Sequence, residues 1–169
     1  MILPILKYGE PTLQKICAPV TVFDGALEQL AKNMVETMYG APGVGLAAPQ
    51  VGALMRLIVL DVTIVEKNGN LITLVNPEII VTEGEQYEDE GCLSIPEFTA
   101  KVHRPYRVVV SGKDIHGKEA VIEGEGLLSR VLSHEIDHLN GILFIDHLSS
   151  IKRDIIKRKI RKKVRAGEW

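Results

Sequence analysis

Cysteine is scarce: only Cys17 and Cys92 carry thiols, and their placement suggests no pair. A disulfide framework is therefore excluded, two unpaired thiols fit a reducing compartment, and Cys17 reads as an inert core residue. Long apolar runs are missing too. The chain opens on a short one broken by Pro4, so no signal peptide is expected, and no stretch approaches the roughly 20 residues that cross a bilayer. The expectation is a cytoplasmic monomer with no membrane partner. Repeats, low-complexity segments and linkers are absent, so residues 1–169 read as one domain large enough to bury a core. An overall excess of charge is also lacking, the net being −2, but this conceals an asymmetry. Residues Ile151 to Trp169 hold nine Lys or Arg against two acids, a balance of +7, which leaves 11 − 20 = −9 for residues 1–150.

Against these absences stands HEIDH, His134 to His138. On a helix, residues four apart stack on one face, so His134 and His138 can share one metal ion while Glu135 reaches a water bound to it. Leu127, Leu128, Val131, Leu132, Ile136 and Leu139 form an apolar arc around the motif, and Gly141 supplies a stop. The pattern points to a hydrolytic metal site.

Such a site takes three protein ligands and leaves a position open, so a third ligand is needed. The protease pattern HExxHxxGxxH is followed as far as Gly141 but meets Phe144 where the third histidine would stand. A downstream glutamate fares no better, since the only one after the motif is Glu168. Cys92, Asp146 and His147 remain open. Cys92 stands in EGCLSIP, Glu90 to Pro96, where small Gly91 and Ser94 let backbone approach an ion.

A third segment, GVGLAAPQ from Gly43 to Gln50, follows a helix expected to begin near Asp24 and to carry Leu27, Leu30, Ala31, Met34, Val35 and Met38 at helical spacing. With GVGLAAPQ, EGCLS and HEIDH present in that order, the sequence resembles the peptide deformylases, whose signatures are GxGLAAxQ, EGCLS and HExDH. All three are matched in full, and the resemblance covers essentially the whole chain. Ser133, where many members have glutamine, is a departure that bears on packing around the ligands.

The resemblance implies one divalent metal ion per chain held by Cys92, His134 and His138, iron(II) by family preference, with zinc, nickel or cobalt able to substitute. It implies Glu135 as general base and then general acid, with the Gln50 side-chain amide and the Leu93 backbone N–H as oxyanion donors. A thiolate ligand offsets part of the ion's charge and makes its water less acidic, which raises the importance of Glu135. The implied substrates are formylated nascent peptides, from whose N-terminal methionine the formyl group is removed as formate. Their backbone is expected to pair near Val44, Gly45 and Gly91. Leu127 and Val131, on the face bearing His134, are candidate pocket walls with Val44 opposite, and Arg130 is either a substrate contact or a solvated residue at the helix edge.

Strands are expected over Arg56 to Val62, over Leu71 to Val81 with an interruption near Pro77, and over Thr99 to His103, Tyr106 to Lys113 and Glu119 to Glu123. Turns are expected at Arg104-Pro105 and His116-Gly117, with His103 and His116 exposed. Strands first and helices after argue for an α+β fold of mainly antiparallel sheets around the central HExxH metal-binding helix, with an N-terminal and a C-terminal helix. Residues 149–169 are expected to form the C-terminal one, basic outside, with an apolar seam of Ile156, Ile160 and Val164. In the deformylase family such a helix is associated with the ribosome near the exit tunnel, and no DNA is expected as a partner. Two rivals are carried forward: a peptide-bond metalloprotease using His147 as third ligand, and a non-catalytic metal-containing module binding RNA or the ribosome.

Overall fold

The computed structural model describes residues 1–63 and 70–169. Helix α1, Gly25–Gly40, starts where the Asp24 side chain accepts the Leu27 N–H at 3.0 Å. Its buried residues Leu27, Ala31, Met34 and Met38 recur at three- and four-residue steps, so one face is apolar. Strands β1 (Gly45–Ala47) and β2 (Leu57–Leu60) follow, then β3 (Ile72–Glu83), β4 (Gln86–Cys92), β5 (Ile95–Arg104), β6 (Arg107–Lys113) and β7 (Glu119–Glu125). Helix α2, Leu127–Leu139, carries the HEIDH motif, and α3, Ser150–Arg165, comes after a short 3-10 turn.

Among the described residues seven strands form two antiparallel sheets, one of five strands in the order β1-β2-β3-β6-β7 and a β4-β5 hairpin. This is the α+β architecture expected, with three helices. Strand β2 shows how the layers are built. Ile58 and Leu60 pack into the cluster that contains Val131, Leu132, Ile136 and Leu139 of α2, whereas Leu57 and Val59 pack into the one that contains Leu27, Met34 and Met38 of α1. Because successive side chains point to opposite faces, the two helices cover opposite faces of the large sheet. A third cluster joins Ile95 and Val102 of β5 to Phe144, Ile145, Ile156 and Ile160.

Several expectations change in detail. The interruption near Pro77 does not end a strand, because β3 runs on through register shifts between Val75 and Glu78 and between Ile79 and Val81. Asn76 takes the left-handed conformation there, with φ 51°, and its amide holds both the N–H and the carbonyl of Val20, at 2.8 and 2.9 Å. Strands β1 and β4 were not anticipated, and β5 starts earlier than Thr99. The turn expected at Arg104-Pro105 falls to Pro105 and Tyr106, between β5 and β6, because Arg104 itself closes β5 and is 5% exposed. The apolar seam of α3 stops at Ile160: Ile156 and Ile160 are buried while Val164 is 55% exposed. The helix also ends at Arg165, short of residue 169. Among the described residues no helix is long and apolar enough to cross a membrane.

Candidate metal centre

Helix α2 enters from Gly126 and leaves through Asn140 and Gly141, whose φ of 72° suits glycine. A side chain at Gly141 would also strike the Gln14 carbonyl oxygen, 2.5 Å from an ideal Cβ, so the stop expected from sequence is required by packing as well. Between these ends His134, Glu135 and His138 are all buried. The imidazoles lie edge to face, with ring centroids 4.9 Å apart. Cys92 closes β4, at the shift in register between Gly91 and Cys92, and this brings its thiol to the helix.

The His134 and His138 Nε2 atoms are 3.2 Å apart, and Cys92 Sγ lies 3.4 Å from His138 Nε2. All three donor atoms fall within 4.8 Å of one another. Metal–nitrogen and metal–sulfur bonds of about 2.0–2.3 Å at tetrahedral angles separate such atoms by roughly 3.3–3.6 Å, so the donors already stand at ligating distances. One thiol and two imidazoles suit borderline divalent ions such as iron, cobalt, nickel and zinc. The other two candidates for third ligand are engaged elsewhere: Asp146 accepts the Leu143 N–H at 2.8 Å, and His147 Nε2 sits 2.7 Å from Asp137 Oδ2. His147 is therefore corrected from candidate ligand to partner of Asp137.

Glu135 lies beside this group without joining it. Burial pushes its carboxyl up to about 7, against the opposing pull of His134, and Oε1 has no hydrogen-bond partner. A Cβ at Gly45 would come within 2.5 Å of Glu135 Oε2, so only glycine in β1 leaves room for that carboxylate. The two imidazoles diverge: burial opposes charge on both, but Glu135, Cys92 and Glu90 raise His134, while His138 is pushed down by burial, then by His134 and Arg104.

Gln50 is oriented by its oxygen, which accepts the Ala47 N–H at 2.9 Å. Its amide nitrogen then faces Ser94 Oγ at 3.1 Å and Cys92 Sγ at 3.6 Å. A cleft of about 810 Å3 opens over the group and is lined by Val44, Gly45, Gln50, Gly91, Cys92, Leu93, Leu127, Val131, His134 and Glu135. His138, 1% exposed, lies behind it. The residues that the resemblance assigned to the site thus lie together, whereas Asp146 and His147 do not join them, and Arg130 lines the same cleft.

Sequence reasoning missed what holds the histidine. His134 Nδ1 meets Glu90 Oε1 at 2.7 Å, and Arg104 clasps the same carboxylate through Nε at 2.9 Å and Nη2 at 2.7 Å. Arg104 Nη1 also reaches Asp137 Oδ2 at 2.6 Å. Burial would favour a neutral Glu90, yet Arg104 and then His134 hold it well below the usual carboxylate range. A carboxylate on the far nitrogen fixes ring and tautomer so that Nε2 presents its lone pair to an ion. Glu90 and Asp137 were visible as parts of EGCLS and HEIDH; Arg104 carried no signal beyond its place before Pro105.

A cysteine and two histidines at ligating distance, a buried glutamate beside them and an open cleft define a metal-dependent hydrolase centre of the HExxH kind. The sequence model of the family described as polypeptide deformylase matches residues 2–154. The peptide deformylase of Acidobacterium capsulatum is 51% identical over 169 residues, 100% of this chain and 99% of its own. Among solved structures, a peptide deformylase from Legionella pneumophila superposes with a TM-score of 0.91 at 46% identity, covering 99% of this chain and 98% of that one. The peptide deformylase from Ehrlichia chaffeensis in complex with actinonin has a TM-score of 0.90 at 36% identity, with 96% and 97% covered. The chain belongs to the polypeptide deformylase family.

Proposed function

We propose that this protein hydrolyses the formyl amide at the N-terminal methionine of newly made polypeptides, releasing formate and a free amine. The observation that carries the reading is the juxtaposition of Glu135 with the Cys92, His134 and His138 donor group at the floor of the cleft.

Bound there, a divalent ion would polarise the formyl carbonyl and make an attacking water more acidic. Glu135, with its carboxyl near 7, takes the proton from that water as oxygen adds to the formyl carbon. As the carbon–nitrogen bond breaks, the same carboxyl returns a proton to the departing amine nitrogen. The Gln50 Nε2–H and the Leu93 N–H donate to the formyl oxygen while charge collects on it. Gln50 serves by redirecting its weakest contact, the 3.6 Å one to Cys92 Sγ. Leu127, Val131 and Val44 wall the space for the methionine side chain, and β1, the outer strand of its sheet, offers backbone at Gly45 for an extended peptide, with Gly91 on the hairpin.

Iron(II) is our choice of ion, on family likeness, with zinc, nickel or cobalt as substitutes. We further place the protein in the cytoplasm, as a monomer forming one domain, meeting nascent chains at the ribosome through the basic face of α3. Supporting that docking are Lys159, Arg161 and Lys162, all exposed. The test is metal analysis of protein purified without oxygen, paired with a formyl-peptide assay. One ion per chain and formate release are expected; metal-replete protein that leaves formyl-Met peptides intact would sink the reading.

A further inference from the structure

The cleft, at about 810 Å3, is larger than a formylmethionyl group needs, and several of its lining residues have no role in the chemistry above. Among these are Pro96, Glu97 and Phe98 of β5 and, from the N-terminal segment, Lys7. The Lys7 segment is tied to the centre, since the Leu6 N–H donates to the Gln50 carbonyl at 2.7 Å and the Tyr8 N–H to the Ser94 carbonyl at 2.8 Å. Both segments are held by residues of α3 and of the chain after it. The Trp169 indole N–H donates to the Tyr8 carbonyl at 2.9 Å, and Lys7 Nζ lies 5.9 Å from the centre of the same ring system. The indole also packs on Phe98, with centroids 6.3 Å apart and planes inclined by 58°, within the range of favourable aromatic pairs. Lys163 pairs with Glu97, which holds a left-handed backbone with φ 73° although it is not glycine. An exposed ion pair contributes little, so the weight falls on Trp169. A strained residue at a cleft rim persists only where its surroundings impose it.

We propose that Trp169, assisted by Lys163, is a positioning residue that fixes the β5 segment and the Lys7 segment relative to each other at the cleft, and through them the affinity for substrate residues that follow the formylmethionine. This rests on the deformylase reading. It touches neither the reacting atoms nor the methionine pocket, so its effect is confined to binding of longer substrates.

The test compares formyl-Met-Ala with a formyl-Met hexapeptide, using metal-loaded wild-type, Trp169→Ala and Trp169→Phe proteins. For the hexapeptide, Trp169→Ala is expected to raise KM by roughly three- to tenfold at unchanged kcat, the scale of one aromatic contact. Formyl-Met-Ala should keep both constants. Trp169→Phe, which retains the aromatic face, should fall between. Equal changes for both peptides, or none, would overturn the proposal. Because Trp169 is the only tryptophan, a second measurement needs no variant. Saturating the wild-type holoenzyme with the deformylated hexapeptide should shift its emission while Met-Ala does not, and unchanged emission with the hexapeptide also overturns it. A wild-type enzyme that leaves formyl-Met-Ala intact would count against the deformylase reading itself.

Discussion

Helices α2 and α3 have 13 and 16 residues, yet nine residues of α2 are buried and two of α3. The first is packed between the sheet and the cleft, and its polar residues work because water is nearly excluded. Burial raises the Glu135 carboxyl, opposes charge on both histidines and makes the Glu90–Arg104–Asp137 chain costly to break. The second helix is pinned by Ile156 and Ile160 and otherwise presents charge to solvent, where each ionic contact is screened. Equal numbers of substitutions in the two should therefore have very unequal consequences. In α2 they act through desolvated chemistry, in α3 through long-range attraction or a few apolar anchors.

The sharpest contrast comes from Glu135→Ala in α2. Loss of the proton carrier is expected to reduce deformylation by about 10²–10⁴-fold. Metal content should not change, because Glu135 lies outside the donor group. Normal turnover by metal-replete variant protein would remove the role assigned to it.

Next in size is the interior ion network behind α2. Arg104→Met leaves Glu90 and Asp137 without their cation, and removing one partner of a buried pair costs about 3–5 kcal/mol. Urea unfolding of the variant should show that loss, together with weaker metal retention as His134 loses its support. The pH dependence of the wild type follows from the same group. Burial opposes charge on Glu90, but Arg104 and His134 prevail and depress its folded pKa below the ordinary 4.5. Its stabilisation is thus present above about pH 4.5 and is lost as pH falls towards about 2. Thermal melts should show the decline, and the decline should shrink in Arg104→Met.

Within α3 the expected effects are smaller and separate two kinds of position. Ile160→Val should lower stability by about 0.5–1.5 kcal/mol. Val164→Ala, at an exposed site, should stay within about 0.5 kcal/mol. Equal effects would mean that the seam continues to Val164. Smallest for stability, and silent for catalysis, is reversal of the exposed face by Lys159→Glu, Arg161→Glu and Lys162→Glu together. Turnover of formyl-Met-Ala should be unaltered, while co-sedimentation with ribosomes should fall and, in the wild type, weaken steeply with salt. Undiminished co-sedimentation of the triple variant would dissociate α3 from any docking role.

Much of the site was legible because its parts are local. HEIDH is a helical pattern whose two histidines meet through backbone geometry alone, and Asp24 with its apolar repeat marked α1. Strand β4 was hidden because Gln86–Cys92 is largely exposed and acidic, so it lacks the apolar alternation by which strands are recognised. Pro77 was read as a break because proline cannot donate to a ladder, and a bulge with Asn76 held by Val20 accommodates it instead.

What the sequence by itself determined is the chemistry on offer: which donors, which carboxylate, which amide, and the periodicities that made sheet and helices. Spacing alone left Cys92, Asp146 and His147 open and the resemblance chose Cys92, but the physical reason lies in the tertiary structure: Cys92, 46 residues from His138, is brought to it, while the other two, closer in the chain, are turned to other partners. The same holds for Arg104, which meets Glu90 and Asp137 across 14 and 33 residues, and for Trp169, which meets Tyr8 across 161. Local spacing sets which atoms a helix or strand can present, whereas contacts between distant segments, and the loss of water that gives those contacts their strength, arise only when the layers close.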